Sequence, residues 1–125
     1  MYLDRVKNNE LDLCDMAWLA EIVSLLPFGN TARDWAEDSS LHFWRPTNGG
    51  LVVTRVREHP DGKEFQVMGL AGSAMRPKAL KLALEVLAKA CGARWWSAEV
   101  VNPGVAGVLE HWGLAPYSLT LLKEI

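Results

Sequence analysis

Phe65-Gln66-Val67-Met68-Gly69-Leu70-Ala71-Gly72-Ser73-Ala74-Met75-Arg76-Pro77-Lys78 is the stretch on which the fold turns. It follows His59-Pro60-Asp61-Gly62-Lys63, a hairpin loop in which Asp-Gly supplies the positive-φ position. Residues 65–71 therefore read as the strand returning antiparallel to residues 51–57, a run rich in β-branched side chains. Pro77 suits the first turn of a helix, where a missing N–H costs nothing. Leu80, Leu82, Leu84, Val86, Leu87 and Ala90 then give a broad apolar face, while Lys78, Lys81, Glu85 and Lys89 mark the wet side. Gly92 ends that helix. Strand, short loop and long helix thus occupy residues 65–92.

Upstream, residues 2–6 form a short strand and Asn8-Asn9-Glu10 breaks the pattern. Asp12 is placed to cap a helix carrying Leu13, Met16, Ala17, Leu19, Ala20 and Val23. Leu26-Pro27 stops it, and Thr31 caps a second, short helix through Trp35 and Ala36. A strand at 40–44 halts at Arg45-Pro46, and Asn48-Gly49-Gly50 is a turn. Downstream, residues 94–101 are a strand, Asn102-Pro103-Gly104 opens a helix over 105–112 closed by Gly113, and residues 117–123 are a last strand. This order predicts a single α/β (α+β) domain over residues 1–125. Its sheet is central, mixed and mostly antiparallel, with helices on its flanks.

The chain has 125 residues, half of them hydrophobic, enough to fold around one core. Thirteen basic residues against fifteen acidic ones, a formal charge of −2, leave no basic stripe for phosphates and point away from nucleic acid. No run approaches the ~18 apolar residues of a membrane span, and the first residues lack the apolar core of a signal peptide. Cys14 and Cys91 lie in apolar helical patterns and read as buried free thiols, with no metal spacing. The expected compartment is a reducing cytoplasm, of a cell or of an infected host. Six tryptophans are many for this length, and most are expected in the core, with a few as partner anchors.

With these elements in place, the chain resembles the GNAT family of acetyl-CoA-dependent N-acyltransferases. Ala90-Cys91-Gly92-Ala93-Arg94-Trp95-Trp96 is similar to the family's turn from long helix to fifth strand. Residues 99–114, EVVNPGVAGVLEHWGL, resemble its "E…N..A…LYE..GF" stretch, and residues 117–123 its last strand. The likeness covers the chain in element order and about residues 64–124 in pattern. It implies an α+β domain and, in an active member, a Q/R-x-x-G-x-G/A loop whose amides hold the coenzyme A pyrophosphate at a helix N-terminus. Gln66-Val67-Met68-Gly69-Leu70-Ala71 matches that string but falls inside the strand. The segment standing where the loop belongs supplies Gly72, Ser73, Ala74, Arg76 and Lys78. With Asn102, these are the residues that the resemblance offers to acetyl-CoA. Pro77 removes one amide donor there.

Acetyl transfer also needs a base for the amine and an acid for the departing thiolate. Leu109 stands where many members carry the acidic tyrosine, which leaves Glu99, His111 and Tyr117 as candidates. Each also has a plain reading: Glu99 as an alternating strand residue, His111 as helix surface, Tyr117 as a core edge with a wet hydroxyl. The closer resemblance is to small phage-encoded GNAT-like proteins that keep the topology and lack the pyrophosphate loop. It implies a catalytically degenerate structural or accessory protein, in a virion or at a host target, with a protein partner or a homo-oligomer and no bound cofactor. The alternative is an active acetyl-CoA-dependent transferase acting on a primary amine.

Overall fold

In a computed structural model, residues 2–24, 30–47, 49–72, 77–99, 115–117 and 120–124 are described. They form β1 (Leu3–Val6), a 3-10 turn (Asn8–Glu10), α1 (Leu13–Ser24), α2 (Ala32–Glu37), β2 (His42–Pro46), β3 (Leu51–His59) and β4 (Gly62–Ala71). After these come α3 (Pro77–Ala90), β5 (Ala93–Glu99), β6 (Ala115–Tyr117) and β7 (Thr120–Glu124). The strands make one sheet in the order β1-β2-β3-β4-β5-β7-β6. β4 and β5 pair in parallel, joined by α3 as the crossover, and the other neighbours are antiparallel. This is the mixed, mostly antiparallel α+β sheet that the sequence predicts.

Both N-terminal helices are capped as their first residues dictate. Asp15 N–H donates to Asp12 Oδ1 at 2.8 Å, and Asp12 N–H donates back to Asp15 Oδ2 at 3.0 Å. Asp34 N–H donates to Thr31 Oγ1 at 3.2 Å, and Thr31 N–H to Asp34 Oδ2 at 2.8 Å, a reciprocal capping box. Asp15 has a second task. It is buried, and Arg45 Nε on β2 donates to its Oδ1 at 3.0 Å. One carboxylate therefore closes the start of α1 and fastens that helix to the sheet.

The core has two parts on opposite sheet faces. α3 sets Leu80, Leu84 and Ala88 against Val52, Phe65, Val67, Trp96 and Ala98. α1 and α2 set Leu19, Ile22, Val23 and Trp35 against Phe43, Leu51, Val53 and Ala71. β4 serves both because it is bulged. Val67 pairs with Thr54 and Gly69 with Val53, so Met68 is the extra residue. A bulge shifts the side-chain alternation by one. Phe65 and Val67 face the α3 side below it, and Ala71 faces the α1 side above it.

Several expectations are corrected. β2 runs on through Arg45 and Pro46, because Pro46 lies beyond the last β2–β3 pair, Trp44↔Val52, where its missing N–H breaks no ladder to β3. The single last strand over 117–123 is instead an antiparallel pair, β6 and β7, whose register ends at Tyr117↔Thr120. No Gly, Pro or Asn between those residues signals the break. Cys14 is exposed and Cys91 half-buried, both free, rather than buried thiols: Cys14 sits on the outer side of α1. Of the tryptophans described, Trp35 and Trp96 are buried, and Trp18, Trp44 and Trp95 are partly so. The broad apolar face of α3 is split. Leu80 and Leu84 are buried, whereas Leu82 and Val86 are 63% and 65% exposed. The expected helix over 105–112 lies outside the described residues.

Candidate functional site

The parallel junction is where the sheet opens. β4 and β5 pair from Lys63↔Ala93 to Val67↔Ala98, and among the described residues the ladder ends there. Above it β4 stays with β3 as far as Leu51↔Ala71, while β5 stays with β7 as far as Glu99↔Thr120. Among the described residues, their pairing stops just where Met68 bulges. In open sheets of this kind, ligands bind outside the carboxyl ends of parallel strands, and bulges gather beside such sites. This splay, with the segment leading into α3, is the candidate site.

Its floor is closely packed. Gly69 lies against Ile22 of α1: a Cβ there would come within 2.3 Å of Ile22 Cγ2. Gly72, at φ +73°, lies against Gly50, whose Cα would be 2.7 Å from an added Cβ. The end of β4 and the start of β3 thus cross backbone to backbone. Between these glycines β4 presents Leu70 and Ala71, with Met68 at the bulge. Lys78 is exposed in the first turn of α3.

The remaining sequence candidates are divided. Glu99 ends β5 and Tyr117 ends β6, and both are in register with Thr120 of β7. The fold therefore brings them into one row, two strands apart, or roughly 10 Å at ordinary strand spacing. Gly72 and Lys78 flank the splay. Ser73, Ala74, Arg76, Asn102 and His111 lie outside the described residues.

Sequence reasoning missed a polar cluster lower on the same two parallel strands. Glu64, Gln66 and Ser97 are buried. Ser97 Oγ donates to Glu64 Oε2, and His59 Nε2 lies 2.7 Å from Glu64 Oε1. The His59 ring stacks on Trp95, with centroids 5.7 Å apart. Gln66 Oε1 accepts from Arg55 Nε and Nη2 at 3.1 and 2.7 Å. Alternating polar residues in a strand read as a wet face. Only the parallel pairing, which puts Ser97 beside Gln66, shows that this face is covered.

Burial pushes the Glu64 carboxyl up, but the hydrogen bonds from Ser97 and His59 and the charge of Arg57 outweigh it and hold the group below the usual carboxylate range. Burial acts likewise on Asp15, and the Arg45 hydrogen bond and charge, with the Asp12 amide, win there too. A carboxyl whose pKa is lower in the fold than in the unfolded chain binds its proton more readily once unfolded. Protons then favour unfolding. The stability that both groups contribute is complete above their unfolded pKa values and is lost as pH falls through the folded ones, from about pH 5 downward. Urea midpoints measured against pH should show this acid limb, and Glu64→Gln should make it shallower. An unchanged slope in that variant would mean that Glu64 does not carry it.

No family model and no curated protein matches the chain. Among solved structures, it is similar to a chain of the AtaT–AtaR complex bound to DNA, at 13% sequence identity and a TM-score of 0.65. The likeness covers 99% of this chain and 94% of the other. At that identity it shows the fold, which is GNAT-like. Among the described residues, no helix is long and apolar enough to cross a membrane.

Proposed function

We propose that this chain is a catalytically degenerate GNAT-fold protein that works by holding a protein partner. The observation that carries the reading is the chemistry at the splay. The β4 side chains beyond the last parallel pair are Met68, Leu70 and Ala71, with Gly69 filled against α1. None of them moves a proton. The buried carboxylate of the same strand, Glu64, lies four residues below the bulge with both oxygens already engaged. The solved neighbour belongs to a protein complex, which supports a protein partner here. A phage-encoded accessory or virion role rests on the pattern of residues 68–114, and a homo-oligomer is the other form such a role takes.

The splay itself favours a second reading, an acetyl-CoA-dependent transferase with Glu99 as base, Tyr117 as acid, and the segment from Gly72 to Lys78 under the pyrophosphate. Residues 73, 74 and 76, with Asn102, would take the cofactor contacts. One experiment separates the two. A ligand held at a hundredfold its Kd adds ~2.7 kcal/mol to the native state, enough to raise the melting temperature by several degrees in a domain of this size. With millimolar acetyl-CoA we expect a shift below about 1 °C and no release of free thiol in the presence of polyamines or peptide amines. A clear shift with thiol release establishes the transferase. Adding duplex DNA to the same melts tests the nucleic-acid partner of the neighbour's complex.

A further inference from the structure

The outer side of α3 carries a feature that the core does not use. Helical residues advance by about 100° each, so Ala79, Leu82, Val86 and Ala90 fall in one stripe. That stripe faces away from the side that buries Leu80, Leu84 and Ala88. Ala79 and Ala90 are exposed, and Leu82 and Val86 are 63% and 65% exposed. By the same helical geometry Lys78, Lys81, Glu85 and Lys89 line one border of the stripe, while Ala83 and Leu87 lie on the other. Three lysines against one glutamate give this helix a positive balance, on a chain whose formal charge is −2. The stripe runs about 16 Å, or three turns. A helix that lays its own apolar face in such a stripe reads it through anchors at i, i+3 or i+4, and i+7.

Resting on the reading of the chain as a partner-binding protein, we infer that this stripe docks an amphipathic helix of a different protein, with acidic residues along the border that meets Lys78, Lys81 and Lys89. Charge selects the occupant. In an antiparallel two-fold pairing of two copies, the lysine borders fall on the same side and face each other, and like charges at that distance oppose the contact. A partner with glutamates on that border replaces the repulsion with attraction, and Leu82 and Val86 supply the apolar anchors.

The probe is a labelled synthetic peptide of about 18 residues, long enough to hold a helix, with leucines at i, i+3, i+7 and i+10 and glutamates along one border. Its control carries lysines in place of the glutamates. We expect the intact protein to bind the acidic peptide in fluorescence anisotropy, and to bind it less as salt rises. Binding should weaken at least about tenfold for Leu82→Ser with Val86→Ser, and by a similar factor for the lysine peptide. Both side chains are exposed, so the variant should keep its melting temperature, which is checked first. A Lys78→Glu, Lys81→Glu, Lys89→Glu triple variant should reverse the preference between the two peptides. The inference is overturned by no binding, by equal binding of the serine variant, or by equal binding of both peptides. A wild-type dimer in sedimentation that the serine variant loses also overturns it, since the occupant is then a second copy. Failure here leaves the partner-binding reading to another face. Acetyl-CoA turnover removes that reading and leaves this helix face to be judged by the peptides.

Discussion

Trp96→Ala should cost this protein about 4 kcal/mol, the range found when a large buried aromatic is truncated. Trp96 is fully buried on β5, beside Phe65 in the parallel register, with Leu80 and Leu84 of α3 in the same core cluster. Its loss empties the space between crossover helix and parallel strands, and neither neighbour can collapse into it without breaking the β4–β5 ladder. In urea the midpoint should fall while the slope stays near that of the wild type. Trp96→Phe keeps most of the volume and should recover more than half of the loss. If the alanine variant melts within about 1 kcal/mol of the parent, the α3–β5 packing described above is wrong.

The second large effect is Gly50→Ala. Gly50 has φ +111°, a conformation that residues with a Cβ rarely adopt. An added Cβ would stand 2.2 Å from the carbonyl oxygen of Ala71, which is backbone and cannot rotate away. Conformational strain alone is of order 1–3 kcal/mol, and the contact must be relieved by separating β3 from the end of β4. We expect a loss of at least about 3 kcal/mol, with the damage reaching the candidate site, because the segment displaced leads into Gly72. Gly49→Ala is the control. Gly49 also has positive φ, at +88°, but nothing stands within 4 Å of its added Cβ. It should cost only the strain, about 1–2 kcal/mol. Equal losses in the two variants would show that the close approach of the strands contributes nothing.

Much of this fold was legible in the sequence, for local reasons. Asp12, Thr31, Asp61-Gly62, Pro77 and Gly92 act within a few residues of themselves, and the elements they punctuate stand where those residues place them. Tertiary choices were not legible. Glu64 and Ser97 sit in strands whose alternation suits either a wet or a covered face, and pairing decides between them. Leu82 and Val86 satisfy a helical apolar pattern as well as Leu80 and Leu84 do, yet only one of the two stripes meets the sheet. The break between Tyr117 and Thr120 carries no Gly, Pro, Asn or Asp, and Ser118 alone is too weak a turn signal to give warning. At the site, the placement of Glu99 and Tyr117 in one row depends on β7 lying between β5 and β6, an order that no local motif encodes.

The bulged fourth strand has a consequence for how the molecule opens and closes. Strands β2, β3 and β4 follow one another directly, so their contacts form early, at a small entropic cost of chain closure. β5 joins only after α3 has carried the chain across. Because β4 borders both halves of the core, neither half can detach without exposing it. Its amides below the bulge, facing β3 on one side and β5 on the other, should be the last to exchange with deuterium in the native protein. Those above it, which have no β5 partner among the described residues, should exchange sooner. A gradient of protection along one strand, falling toward the splay, is the dynamic signature of the same irregularity that opens the sheet.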